Sequence, residues 1–134
     1  MNIKVPTAKI NKIFYKNYWF KALEFRETMR TSSSLSNWNA VSLNAIHAGI
    51  SANDAVLVCF YGVRSISPKH DDAVKLLRDL MKNDKAKNAA NHLSKIIYAK
   101  NLVEYESRLF TQAEAHTIVK HTERFMEWVE SILP

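Results

Sequence analysis

Residues Ala40–Val63 read AVSLNAIHAGISANDAVLVCFYGV, 24 residues with one formal charge, Asp54, and no Lys, Arg or Glu. At about 100° per residue, Asn44, His47, Ser51 and Asp54 fall within an arc of about 80°. The rest of the circumference is mainly Ala, Val, Ile, Leu, Cys and Phe. A helix that is apolar nearly all round belongs in the middle of a bundle. Its narrow polar stripe needs partners, because a buried polar group left unpaired costs about 1–3 kcal/mol.

Helical signals continue on both sides. Phe14, Tyr18, Ala22, Phe25 and Met29 make one apolar face of a first helix expected from about Thr7 to Arg30. Ser36 or Asn37 caps the second helix, which runs to about Arg64. Ser67-Pro68 offers a capping hydroxyl and a first-turn proline for a third, with core positions Val74, Leu77, Leu80 and Met81. Asp71 and Asp72 suit its positive N-terminal end. Asn83-Asp84 breaks the chain before a fourth helix, Lys85 to Ser107. Thr111 and Glu114 form a capping box for a fifth, with inward residues Ala115, Ile118, Thr122, Phe125, Val129 and Ile132. The chain has two glycines, three prolines and no sustained strand-like alternation. The expected fold is all-α: an up-and-down antiparallel four-helix bundle with an additional short helix.

The 134 residues fit one helical domain, 1–134, able to bury a core without a disulfide or metal staple. The one cysteine, Cys59, lies in the apolar helix and reads as a buried, inert thiol. Asn44, His47, Asn53 and Asp54 argue against a membrane span at Ala40–Val63. No secretory signal is read at the start, so the expected location is cytoplasmic. Of the net charge of +6, residues 1–37 hold +5, from seven basic and two acidic side chains. A basic end suits phosphates or acidic partners; it is equally an ordinary solvated helix face. Lys9, Lys12 and Lys16, interleaved with Tyr15, Tyr18 and Trp19, offer phosphate contact and base stacking, or a solvated face above core aromatics.

The clearest break in periodicity is in the fourth helix. Ala89, Leu93, Ile96, Lys100 and Val103 share one face, so Lys100 stands where an apolar residue belongs. Glu104 follows at i+4, the less favourable order for a surface pair. A lysine on an inward face needs a counter-charge. Asp54, the one charge on the central helix, is the expected partner of Lys100, with His47 or Glu104 nearby. His70, His92, His116 and His121 are dispersed along the chain. No closed metal-ligand set and no glycine-rich phosphate loop is visible, and no cofactor is expected.

The runs NAIHAGISANDAVLVCFYGVRS, SPKHDDAVKLLRDL, YAKNLVEYES and TQAEAHTIVKHTERFMEWVESIL resemble the HEPN superfamily over about residues 38–133. The resemblance implies an antiparallel four-helix core, usually homodimeric, in nucleotide- or RNA-binding proteins or metal-independent RNases. Many of those RNases are toxins paired with a small nucleotidyltransferase. The RNase members use an Arg, commonly followed by Asn, and then a His near the end of the fourth helix. The corresponding positions here are Lys100, Asn101 and Tyr105. Lys100 can steady a phosphate as a point charge, without the bidentate fork of Arg. Tyr105 is a poor proton carrier at neutral pH. Arg64 and His70 also give Arg-x5-His, but across a turn holding Ser67-Pro68, which reads as coincidence.

Three readings follow. The first is a binding module for RNA or a nucleotide, lacking the usual catalytic His. It engages its ligand through Lys100, Asn101, Tyr105, His47, Asp54 and His70, with a homodimer and a nucleotidyltransferase partner implied. The second is a diverged metal-independent endoribonuclease, with Lys100, Glu104, His47 and His70 as candidate catalytic groups; it requires those groups to converge in one open cleft. The third is a dimeric helical protein without ligand, its polar stripe a specificity device. Trp19 and Trp128 are the expected dimer contacts.

Overall fold

The computed structural model describes residues 4–134. Four long helices, α1 (Tyr15–Ser34), α2 (Trp38–Tyr61), α4 (Asp84–Tyr105) and α5 (Gln112–Ile132), form an up-and-down bundle, and α3 (Asp71–Leu80) is the additional short one. α2 packs against α1, α4 and α5 and also touches α3. Every residue from Ala52 to Val58 is buried, as an all-round apolar helix requires. By length and composition α2 is apolar enough to cross a membrane, but its neighbours cover most of that surface. The core fills with Leu57, Leu77, Leu93, Ile96, Phe125 and Met126. Burial of each contributes roughly 1.5–3 kcal/mol. Gly49 lets α4 approach closely, since a Cβ there would lie 3.2 Å from the Ile96 side chain.

The first helix starts later than its apolar pattern suggests. Thr7–Lys9 forms strand β1, antiparallel to β2 (Val63–Ser65), with Ala8 opposite Arg64 and Lys9 opposite Val63. Gly62 makes this possible. It ends α2 in the left-handed region at φ 65°, three residues before the expected end, and turns the chain toward β1. Ile10 N–H donates to the Gly62 carbonyl at 2.8 Å and Ile66 N–H to the Pro6 carbonyl at 3.0 Å, closing the ribbon at both ends. One 3-10 turn, Lys12–Phe14, capped by the Asn11 side chain, then leads into α1.

α3 also begins late. The Ser67 hydroxyl does not cap a helix at Pro68. It donates to an Asp72 carboxylate oxygen at 2.6 Å and accepts from Lys69 N–H at 3.1 Å, holding residues 67–70 as a tight loop. α4 is capped by the Asn83 side chain, which accepts from Ala86 N–H. α5 carries the expected capping box, reciprocal between Thr111 and Glu114. Leu80, expected in the core, is 37% exposed because α3 ends there against solvent. Cys59 is only partly buried; burial pushes its thiol up, against the influence of Lys12.

Candidate functional site

The polar stripe of α2 does not act as one unit. The Asn44 side chain donates to the Ala40 carbonyl one turn back, at 2.9 Å. His47 is exposed and packs its ring on Phe25, centroids 5.2 Å apart. Asn53, on the opposite side of the helix, is buried and donates to the Ala73 carbonyl of α3 at 3.2 Å. Asp54 is buried and meets Arg64 of β2, with 3.3 Å between Nη2 and Oδ2.

The expected Lys100–Asp54 pair does not form. Lys100 pairs with Glu104 one turn on, at 3.0 Å, with its side chain only 19% exposed. The inward phase of Lys100 on α4 was correct, but α3 and the loop before it stand where Asp54 was expected. That loop, with the end of α4, encloses a cleft of about 220 Å³. Lys100, Asn101, Glu104 and Tyr105 line it from α4, and His70 and Asp71 from the start of α3, over Ile97. Five of the seven residues singled out from the sequence therefore meet in one open cleft. Asp54 lies in an adjoining cleft and His47 lines neither.

The electrostatics of the cleft centre on His70. Burial lowers the pKa of its imidazole, and the charges of Lys100 and His47 push the same way, against Glu104 and Asp71. At neutral pH the ring is therefore predominantly neutral, with one nitrogen able to accept a proton. Lys100 brings an ammonium held by a single carboxylate, which leaves N–H donors for an anion. Asn101 is exposed beside it, and Tyr105 is 80% exposed at the mouth. A phosphate group fits this combination of cation, amide and hydroxyl.

Sequence reasoning missed two features. Arg64 and His70, set aside as a coincidental Arg-x5-His, line the same adjoining cleft of about 330 Å³. His92 and His121, read as dispersed, meet across α4 and α5 with 2.9 Å between their Nδ1 atoms. Burial lowers both pKa values first, with Arg124 and Lys120 adding to His92, and His92 itself adding to His121. The Arg-x5-His spacing was the signal for the first, set aside because a turn lies between the two residues; spacing along the chain gave none for the second, which depends on how α4 docks on α5. Among the described residues, no group of three or more His, Cys, Asp or Glu side chains is arranged to hold a metal ion.

A helical bundle with a polar cleft at one end of α4 defines a class of small α-helical modules. The chain belongs to the HEPN family: the HEPN domain matches residues 15–132. At the level of that family it is a nucleotide-binding or RNase-type module. No curated protein and no solved structure gives a match.

Proposed function

We propose that the chain binds RNA or a nucleotide by its phosphate in the cleft between the end of α4 and the start of α3. One observation carries this reading: Lys100 and Asn101 on α4 share an open cleft with His70 at the start of α3. Lys100 supplies the charge for a phosphate oxygen, Asn101 a directed donor and His70 a ring nitrogen. A homodimer and a nucleotidyltransferase partner in a toxin–antitoxin-like pair belong to the same proposal, on the strength of the family. Trp19 and Trp128 are partly covered by the core of their own chain, which leaves Phe20, 58% exposed, as the freer aromatic of α1.

A second reading, a metal-independent endoribonuclease, is favoured by one specific feature. The family's histidine position is Tyr105, yet an imidazole reaches the same cleft from α3 as His70. Neutral His70 takes the proton of a ribose 2′-hydroxyl as that oxygen attacks the adjacent phosphorus. The bond to the 5′-oxygen breaks, and that oxygen takes a proton from water. The products are a 2′,3′-cyclic phosphate and a 5′-hydroxyl end. Lys100 stabilises the extra negative charge on the phosphorane.

Purified protein incubated with a mixed tRNA and mRNA pool and chelator separates these readings, beside Lys100→Ala and His70→Ala. Retention of RNA without cleavage, lost in Lys100→Ala, supports the binding module. Cleavage lost in both variants supports the nuclease. Folded protein that neither retains nor cleaves RNA and takes up no nucleotide contradicts both.

A further inference from the structure

The cleft at Lys100 does not end at His70. His70 and Lys69 also wall the second opening, whose far side is built by Asp54 of α2 and Arg64 of β2. The two openings are thus contiguous, one on each side of the same loop.

Arg64 is held in the second opening from three sides. Asp54 grips one amino group, the Tyr18 ring lies 5.5 Å from the guanidinium carbon, and strand pairing sets Arg64 opposite Ala8. Its Nε is buried and makes no hydrogen bond among the described residues. Lys69 has no side-chain partner among those residues and is exposed. The β1–β2 pairing also brings the basic N-terminal segment to this edge. Lys9 sits opposite Val63, the Lys12 side chain runs 3.6 Å from where a Cβ on Gly62 would stand, and Lys21 lies over Tyr18. The one carboxylate lining this opening, Asp54, is already paired with Arg64. β1 and the turn after it lie before residue 15, outside the part of the chain that the HEPN domain matches.

We infer that Arg64 and Lys69 form a second phosphate subsite, continuous with the Lys100 cleft, and that the ligand is a single-stranded polynucleotide rather than a mononucleotide. The inference rests on the phosphate-binding reading of the Lys100 cleft. A single phosphate cannot fill two openings separated by the His70 loop, whereas consecutive phosphates of one strand can. Backbone contacts of this kind set register and affinity without reading sequence. Asp54 is the positioning residue, holding the Arg64 guanidinium at the opening.

The test is fluorescence anisotropy with an eight-nucleotide oligouridylate, its DNA counterpart oligothymidylate and uridine monophosphate as competitor, over a range of salt concentrations. Wild type binds the octamer far more tightly than the mononucleotide. Arg64→Gln weakens octamer binding by about tenfold and lowers the log–log salt slope by about 0.7, one phosphate contact on a single strand. It leaves mononucleotide binding within about twofold, whereas Lys100→Ala weakens both ligands. Lys69→Gln, at an exposed position that does not disturb the fold, also weakens the octamer. Asp54→Asn/Arg64→Gln, which orphans no charge, behaves like Arg64→Gln. Equal binding of the two octamers supports recognition of the phosphodiester backbone; a preference for oligouridylate supports the same subsite with RNA as its ligand. Octamer binding unchanged in all the Arg64 and Lys69 variants, with Lys100→Ala still defective, overturns the second subsite and leaves the first standing. No binding of any ligand by folded wild type overturns both.

Discussion

Arg64 and Arg108 each hold carboxylates, and they do so in opposite ways. Arg108, in the loop after α4, makes 2.6 Å bonds to both Glu106 and Glu114 and is exposed. Those bonds raise its own pKa and pull the Glu114 carboxyl down to about 2. Arg64 makes one longer contact, 3.3 Å, to a carboxylate whose side chain is 8% exposed. By geometry alone the Arg108 cluster looks the stronger. Exposed ion pairs are screened by water, however, and often contribute nothing measurable. Burial of Asp54 makes the Asp54–Arg64 pair matter, because the carboxylate alone would be left buried without its counter-charge, although the Arg64 side chain is itself 38% exposed. Arg64 faces a cleft, whereas the donors of Arg108 are already committed to Glu106 and to Glu114 in the first turn of α5.

Removing Arg64 gives the largest effect. Arg64→Gln leaves Asp54 buried without its cation, and urea denaturation at pH 8 shows a loss of about 3 kcal/mol. The loss shrinks at pH 4.5, where Asp54 takes up a proton. An equal loss at both pH values would break the assignment of the effect to this pair.

Asp54 itself sets a pH dependence of defined sign. Burial raises its carboxyl to about 6, more than Arg64, its hydrogen bond and Lys21 together lower it. A carboxyl whose pKa is raised on folding binds more protons in the folded state. Its contribution to stability is therefore full below about pH 4 and lost as pH rises through about 6. The difference between wild type and Asp54→Asn, measured by urea denaturation from pH 3.5 to 7.5, changes by about 2–3 kcal/mol in favour of the asparagine. A flat difference would show that Asp54 titrates as it does in the unfolded chain. At neutral pH, Asp54 is thus a cost to stability that holds Arg64 at the cleft.

Two smaller changes sharpen the contrast. Thr111→Ala removes the hydroxyl that accepts from Glu114 N–H at 3.1 Å and costs about 1 kcal/mol by thermal denaturation. Arg108→Ala, nearby, leaves the urea midpoint and RNA binding unchanged. A shift in the midpoint for Arg108→Ala comparable to that for Arg64→Gln would erase the distinction between the two arginines.

The fold was legible because its signals are periodic or local. α2 declared itself by composition, α5 by the Thr111–Glu114 box, and α4 by an apolar face with one lysine in it. Strands of three residues carry no readable period, so β1 was absorbed into the helix that follows it. The site was half legible. Lys100, Asn101, Glu104 and Tyr105 came from one helix, where phase along the sequence fixes which side chains lie together. The partner of Lys100 was misassigned because phase does not tell which neighbouring element a face meets; Asp54 turns to Arg64 and Lys100 to Glu104. The Asp54–Arg64 pair and the His92–His121 contact were not legible for the same reason, since the turn into β2 in one case and the docking of α4 on α5 in the other create them; Arg64 itself showed only as a spacing to His70 across a turn.

The most direct test is a titration of isotope-labelled protein with an eight-nucleotide oligouridylate, followed through backbone amide shifts by NMR. Ligand binding at the α3/α4 cleft moves the amides of residues 97–105 and 69–71, and those of residues 63–65 with them, while residues 106–114 stay still. Shifts confined to the Arg108 loop or to the His92–His121 face, with residues 97–105 unmoved, would contradict it.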